Sequence, residues 1–550
     1  MMQSNARTLI VALTLVAMLP ASCSKIQTST GLTGGGNPWT VHGILRVGSY
    51  EDLDSLNPIV STQAFVTDVD QMIFSGLIDY DDQGNPVPDV AIEVPSGGNG
   101  GISRDGKTIT YHLRQGVKFS DGVPLTSADV KYTWQQILNP NNNVGYRYPY
   151  NQVISVGTPD DYTVVVRLKA PLASFVAAFM RNGIIGSIIP KHLLSGYADL
   201  NRVPFNTHPI GSGPFYVERW EPGALLTLRA NASYWRGPPK LKEIQYRIIT
   251  SQNTMLTDVL SHNIDLYYDA PEVQYATLKS LRGYRVTAVP NMTYEHVEFN
   301  CARPPLDDVR VRKALAYAIN WRKIATYVYL GLGTPGMADT PPMSWAYDPS
   351  VEPYPYDPVR ARRLLKEAGW QPDSTGTMRK NGEPLRIDIS TVAGMTSRAK
   401  TEELIQQDLA AIGIALDIRN YQANLLFATY GYGGILARGN FNLAIYAWEY
   451  TFPDPDNTNT RGPDELPPVG ENYSRCRDWD IGAWQRAGEA HYDRAQRRPY
   501  YVLIQRRFYE TVPFHTIVWR ANIDVVNTDL RNFKPAPDVS DFWNSWEWKI

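Results

Sequence analysis

Residues 297–321 read VEFNCARPPLDDVRVRKALAYAINW. Val297 and Phe299 alternate with polar neighbours as in a buried strand, Pro304-Pro305 stops it, and helical spacing follows. Asp307 or Asp308 offers a carboxylate to the free N–H groups of the first turn, where the helix dipole is positive. Val311, Leu315, Ala318 and Ile319 then share one face, with Arg310, Arg312 and Lys313 mostly off it. This predicts an apolar face in the core and a solvated basic one. Downstream the pattern repeats. Asp357-Pro358 supplies a cap and a proline at the first helical position, Ala361, Leu364, Leu365 and Ala368 keep helical spacing, and Gly369 ends the run. Strands are predicted at 385–389, 414–418 and 441–445, and a helix at 401–412. Alternation of this kind argues for an α/β lobe with a parallel or mixed sheet.

Upstream the text is richer in strands. A short strand at 44–48 precedes a helix at 65–74 and a hairpin arm from Leu77 through the turn Asp81-Asp82-Gln83-Gly84. Residues 97–138 read as a small α+β unit, with strands at 109–113 and 116–122. Ser127 or Asp129 starts its helix, which carries Val130, Trp134, Ile137 and Leu138. Further strands are expected at 162–168, 210–220, 225–228 and 244–249, then a helix and strand over 255–266. The last segment, 513–550, is aromatic-rich and strand-like.

A chain of 550 residues is too long for one core, so two or three domains are expected. A hydrophobic share of 43% and a charged share of 20% describe a globular chain. The formal charge of -2 gives no reason to expect nucleic acid or an anionic surface as a partner. Arg7 followed by LIVALTLVAML at 9–19 reads as a signal peptide, too short to span a bilayer. Pro20-Ala21-Ser22-Cys23 resembles a bacterial lipobox, which makes Cys23 the lipidation site and residues 1–22 the removed leader. The other reading is ordinary cleavage near Ala21 or Ser22 with release. Residues 24–40, rich in Ser, Thr and Gly, have tether composition. Cys301 and Cys476 stand 175 positions apart. Export permits a bridge, but two separate, partly buried thiols are the expectation. The eight histidines show no HExxH or Cys/His metal spacing, and GxSxG and Walker loops are absent, so neither a metal, a cofactor nor an enzyme is expected.

A set of short motifs then appears in a fixed order. It comprises Asp105-Gly106-Lys107 through Leu113-Arg114, Val117-Lys118-Phe119-Ser120-Asp121-Gly122, Asp129-Val130 and Gly211-Ser212-Gly213-Pro214-Phe215. Asn231 to Tyr234-Trp235, Val309-Arg310-Val311-Arg312, Tyr356-Asp357-Pro358 to Gly369-Trp370, and Asn472-Tyr473-Ser474 complete it. The set resembles the peptide-type (cluster C, family 5) extracellular solute-binding proteins of bacterial ABC importers. The resemblance implies an α/β type II flytrap of two lobes with an extra α+β subdomain. Lobe I would comprise residues 43–72, 207–290 and 513–550, the extra subdomain 73–206 and lobe II 291–512, after a tether over 23–42. The chain would cross between lobes near 294–300 and 513–521, making a hinge. The implied function is capture of a peptide or similar oligomeric solute by an exported, lipid-anchored monomer, periplasmic or at the outer face of the cell membrane, and delivery to an ABC permease. An oligosaccharide or other non-peptide solute, or a non-transport sensor of the same fold, is the alternative.

The same resemblance places the ligand loop of lobe II at 446–457. Trp448, Glu449, Tyr450, Thr451 and Phe452 are its contact residues, and a strand end followed by proline-broken backbone suits a cleft lip. Members that bind free peptides carry, three positions beyond this Trp, an Asp that pairs with the α-ammonium. Here that position is Thr451, and Glu449, Asp454 and Glu298 are the carboxylates that could replace it. Further contact residues are His296 and Glu298 at the first crossover, Ser61, Thr62 and Phe65 after the first strand, and His515 and Trp519 at the second crossover.

Overall fold

The computed structural model describes residues 36–49, 53, 55–61, 64–144, 147–183, 185–427, 430, 433–449, 454–536 and 540–550. Its centre is a ten-stranded mixed sheet. The strands are β1 (Ile44–Ser49), β2 (Phe215–Glu221), β3 (Leu225–Ala230), β4 (Glu243–Ile248), β5 (Leu266–Tyr267), β6 (Tyr284–Phe299), β7 (Arg386–Ser390), β8 (Ala415–Ile418), β9 (Leu443–Glu449) and β10 (Phe514–Asn527). They pair in the order β8-β7-β9-β6-β10-β5-β1-β4-β3-β2. The two long strands, β6 and β10, run antiparallel through the middle and belong to both halves. Residues 284–290 of β6 pair with 521–527 of β10 on the β5 side, and residues 293–299 pair with 443–449 of β9 on the other. Between these stretches the β6–β10 ladder slips, once between Pro290 and Tyr294 and again between Glu295 and His296. β10 is buried along nearly its whole length, as expected of a strand covered on both faces.

Each half has its own core. Leu45, Val47, Leu226, Ile244 and Tyr246 lie under the β1–β4 half. That core continues into a three-stranded antiparallel sheet, Thr108–His112, Thr163–Leu168 and Val153–Asp160. Helix α1 (Ala64–Ile73) joins the two parts: Gly213 donates its N–H to the Ile73 carbonyl (2.8 Å). A Cβ at Gly211 would stand 2.0 Å from that same oxygen, so the Gly-Ser-Gly stretch is a close backbone approach. Helix α2 (Ser127–Leu138) covers this smaller sheet, with Asp129 accepting the Thr126 N–H (2.9 Å). The predicted strand at 116–122 is not one. Gly116 and Gly122 both have positive φ (84° and 91°), and the stretch makes a single bridge, Lys118 to Pro124, while Val117 and Phe119 anchor it in the core. Among the described residues the strand-like tail is a strand over β10, followed by turns, a bridge from Arg531 to Lys549 and a 3-10 turn at Ser545–Glu547.

The second half packs Val297, Phe299, Leu315, Ile389, Ile405 and Ile445 together under α3 (Val309–Ala318), α4 (Pro358–Glu367) and α5 (Thr396–Ala410). β7 is parallel to both β8 and β9. Asp308 is the cap of α3, accepting the Arg310 N–H at 2.8 Å. Arg312 corrects the expectation of a solvated basic face. It is buried, and it donates from Nε to the carbonyls of Thr511 and Val512 (2.8 and 3.2 Å) and from Nη1 to that of Leu306 (2.7 Å). Burial, partly opposed by Asp308 and Asp307, pushes its pKa down to about 10. An arginine that satisfies orphan carbonyls at a helix end is invisible to apolar periodicity.

The cysteines also overturn their expectation. Cys301 and Cys476 form a disulfide, with Cα atoms 5.1 Å apart. The Cys301 N–H donates to Ser474 O (2.7 Å), and the Asn472 amide donates to Cys476 O (3.1 Å), so hydrogen bonds seat the two half-cystines side by side. Replacing both by serine is expected to lower the unfolding free energy by about 2–4 kcal/mol, because the bridge closes a long loop in the unfolded chain. An unchanged urea midpoint would show that it contributes nothing.

Candidate functional site

β9 reads Leu-Ala-Ile-Tyr-Ala-Trp-Glu, and its period of two sorts the side chains. Leu443 and Ile445 enter the core shared with α3, whereas Ala444, Tyr446 and Trp448 face Leu436, Phe441 and Tyr473. Trp448 is half-buried. Its ring stands edge-on to Tyr446 (6.0 Å between centroids) and Tyr473 (6.1 Å), a geometry that suits the ring quadrupoles. The indole is therefore held from beneath at the strand end. Tyr450, Thr451 and Phe452 lie outside the described residues, as does the side chain of Glu449.

Beneath that end lies a buried polar network. Tyr446 sits opposite His296 in the β6–β9 register. Glu298 receives three donors: His296 Nε2 (3.0 Å), the Tyr446 hydroxyl (3.0 Å) and Arg461 Nη1 (2.8 Å). Arg461 ends the short helix α6 (Thr458–Arg461) and also reaches Asp339 (3.4 Å) and the Tyr294 hydroxyl (3.3 Å), with its guanidinium 3.8 Å from the Phe514 ring centroid. Asn457 donates to Asp339 (3.1 Å) and accepts from Gln485 (2.8 Å).

Burial alone would raise Glu298, but the Arg461 charge and the bond from His296 outweigh it and hold the carboxyl below its usual range. Asp339, with less help, is pushed up by burial. Burial lowers the pKa of His296, against the opposing effect of its bond to Glu298.

The remaining sequence-derived residues are placed as follows. His515 stacks on Trp321 (3.9 Å, 9°), donates from Nδ1 to Thr516 O (2.8 Å) and accepts at Nε2 from the Tyr354 N–H (3.4 Å). Trp519 is buried against Tyr294 (4.7 Å), and its backbone is bonded both ways to Thr334. Ser61 is buried; Thr62 lies outside the described residues, and Phe65 belongs to α1 with its side chain undescribed. Arg461, Asp339, Tyr294 and Gln485 are not among the contact residues that the sequence singles out. The available signal was the turn Asp454-Pro455-Asp456-Asn457, which leads straight into α6. Among the described residues no group of His, Cys, Asp or Glu could hold a metal, and no helix is long and apolar enough to cross a membrane.

A central mixed sheet whose two middle strands serve both halves is the architecture of an extracellular solute-binding protein. The family model for bacterial extracellular solute-binding proteins, family 5, matches residues 85–461, and the chain belongs to that family. It is similar to the oligopeptide-binding protein AppA of Bacillus subtilis (strain 168), 26% identical over 557 residues and 99% of each chain. The di/tripeptide-binding protein 2 of Pseudomonas aeruginosa (strain UCBPP-PA14) is 29% identical over 462 residues, 79% of this chain and 82% of its own. Among solved structures, Bacillus subtilis AppA in complex with a nonapeptide superposes with a TM-score of 0.74 at 25% identity, covering 92% of this chain and 98% of that one. NikZ from Campylobacter jejuni in complex with Ni(L-His) shares the fold, with a TM-score of 0.77 at 23% identity and coverage of 93% and 100%. The chain is thus the solute-binding component of a transporter and not an enzyme.

His515 makes the fold sensitive to acid. Burial pushes its folded pKa down to about 3 from an ordinary 6.5, against a small opposing effect of the Thr516 carbonyl. Between those values the unfolded chain binds a proton that the folded chain refuses. This contribution is therefore fully present above pH 6.5 and is lost as pH falls. Lowering the pH to 5 is expected to cost roughly 2 kcal/mol from this group. His515→Gln should flatten the slope of unfolding free energy between pH 4 and 6 by about one proton; an unchanged slope assigns the acid sensitivity elsewhere.

Proposed function

We propose that the two halves of the sheet are lobes that close on a peptide or similarly extended polar solute, and that the closed form docks on an ABC permease. The domain limits are those implied by the sequence: 43–72, 207–290 and 513–550 for one lobe, 73–206 for the extra subdomain, and 291–512 for the other lobe. The observation that carries this reading is the slipped ladder at 290–296, where two shared strands can bend without unpairing either half. A solute held between the lobes favours closure by its greater affinity for the closed state.

Trp448 to Phe452 form the lip, with Ser61, Thr62 and Phe65 on the opposite lobe. His296 and Glu298 act from below: Glu298 fixes the Tyr446 hydroxyl, and Tyr446 supports Trp448. His515 and Trp519 hold the second crossover strand.

The anchoring of the solute differs from that of free-peptide binders. Thr451 cannot supply the charged partner of an α-ammonium. Glu298 is taken up by Arg461, and Asp454 by a two-pronged bond to Arg497 (2.6 and 2.8 Å). We infer that the solute is held along its length rather than by an α-ammonium at position 451. Calorimetric titration with a pentapeptide and its N-acetyl form tests this. The two affinities are expected to agree within about threefold, whereas loss of a charged hydrogen bond would cost tenfold or more; a loss of that size on acetylation overturns the reading. The same Thr451 favours a neutral oligosaccharide as the second reading, and titration with oligosaccharides distinguishes it.

Cys23, outside the described residues, is proposed as the lipid anchor, with 24–36 as the tether; the expected limit at 42 is too far along, because Asn37 donates to Asp529, Gly283 and Asn527 and Trp39 stacks on His262 (3.7 Å), which fastens 37–42 to the folded body. Cys23→Ser is expected to move the protein from the detergent to the aqueous phase on Triton X-114 partitioning. Unaltered partitioning removes the anchor from the proposal.

A further inference from the structure

Residues 172–174 of the α+β subdomain meet residues 489–492, which join α7 (Trp479–Glu489) to α8 (Arg494–Thr511) in the second half. Three successive N–H groups find acceptors there. Leu172 donates to the Tyr492 hydroxyl oxygen (3.3 Å), Ala173 to the main-chain carbonyl of Glu489 (3.1 Å), and Ser174 to Glu489 Oε2 (3.0 Å). The Ser174 hydroxyl donates to the same carboxylate oxygen at 2.7 Å. Tyr492 returns a bond, its hydroxyl donating to Gly106 O (2.8 Å), and its ring lies where a Cβ on Gly106 would come within 3.0 Å. A second contact lies nearby in sequence, the Tyr148 hydroxyl donating to Asp456 (3.2 Å).

These partners are separated by 308 to 386 positions in the chain. The subdomain packs in the core of the first half, whereas α7 and α8 pack with Ala338, Ala346 and Phe514 in a core of their own. The junction consists of hydrogen bonds and the Tyr492 ring, a composition suited to surfaces that part and rejoin.

On the far side of Glu489 the bonds lead back to the ligand lip. Arg497 donates to Glu489 Oε1 (2.5 Å) and the Tyr501 hydroxyl donates to the same atom (2.8 Å). Arg497 also grips Asp454, six residues beyond Trp448, and Asp456 follows two residues later. Asp454 and the Glu489 acceptor of the junction are therefore joined through Arg497.

We propose that this junction is a clasp: the extra subdomain shuts the cleft by docking residues 172–174 and Tyr148 onto Glu489, Tyr492 and Asp456, so the segment that meets the solute also carries the latch. This rests on the closure of two lobes argued above. Ser174, Tyr148 and Tyr492 are then positioning residues that set how much of the protein is closed, without touching the solute.

The test uses the ligand-free full chain and the triple variant Tyr148→Phe, Ser174→Ala, Tyr492→Phe, which leaves Glu489, Arg497 and Asp454 intact. Amide hydrogen exchange at Ala173 is the readout, because its acceptor is a main-chain carbonyl that no side-chain change removes. Exchange there is expected to accelerate about tenfold or more on loss of the side-chain bonds. Spin labels at Ile154→Cys and Val469→Cys, both exposed, in a Cys23→Ser background, should shift to a longer or broader distance. Tyr148→Phe alone, the mildest change, should move both readouts in the same direction. Unchanged Ala173 exchange with unchanged label distance in the triple variant overturns the clasp. Because no solute enters either measurement, a chain that opens in the variant yet binds no peptide or sugar refutes the capture reading and leaves the clasp standing.

Discussion

The antiparallel pairing of β6 with β10 is the constraint on which the rest of the molecule depends. Both strands are long enough to serve both halves of the sheet at once, and their neighbours differ on either side of the slip at 290–296. Each half of the sheet therefore inherits its orientation from the same two backbones. The strands also set the chemistry. Tyr294, His296 and Glu298 fall on one face of β6 through its period of two, which lines up a phenol, an imidazole and a carboxylate beside Tyr446 and Phe514. One residue out of step, Glu295 is held by a fork from Arg398 (3.0 and 3.1 Å) in α5.

Two buried arginines organise the second half in the same manner. Arg461 lies between Glu298 and Asp339, and Arg497 between Asp454 and Glu489. Burying such ions costs desolvation that the pairing does little more than repay, so their contribution is geometric more than energetic. Each arginine ties a residue of the 454–461 segment to a distant element. That segment follows β9 and the proposed solute contacts by a few residues, so both arginines act close to the end of β9.

What could be read from the sequence was whatever is local. The strand–turn–helix at 297–321, the Asp357-Pro358 start of α4 and the alternation around β7, β8 and β9 are set by spacing, capping and chain punctuation, and the structure has them. The motif order carried the family. Long-range pairing could not be read. Arg312 looked solvated because nothing in its heptad announces the carbonyls of Thr511 and Val512. Cys301 and Cys476 looked separate because proximity arises only once Ser474 and Asn472 have folded beside the end of β6. The 116–122 stretch has strand composition but two left-handed glycines and only a single bridge among the described residues. At the lip, Trp448 stood out as an isolated indole before a Pro-broken turn, whereas Arg461 and Asp339 offered only charge without an address.

The place of β10 in the sheet has a consequence for how the protein comes into being. The strand lies between β6 and β5, yet it is supplied by the C-terminal end of the chain. Emerging from a ribosome or threading N-terminus first through a membrane, the polypeptide lacks the middle of its sheet until residues 514–527 arrive. Up to that moment the two halves have no common strand pair, and Phe514 and Ile517 are missing from the cores they complete. Folding of the sheet as a whole thus waits, by strand order alone, on residues 514–527.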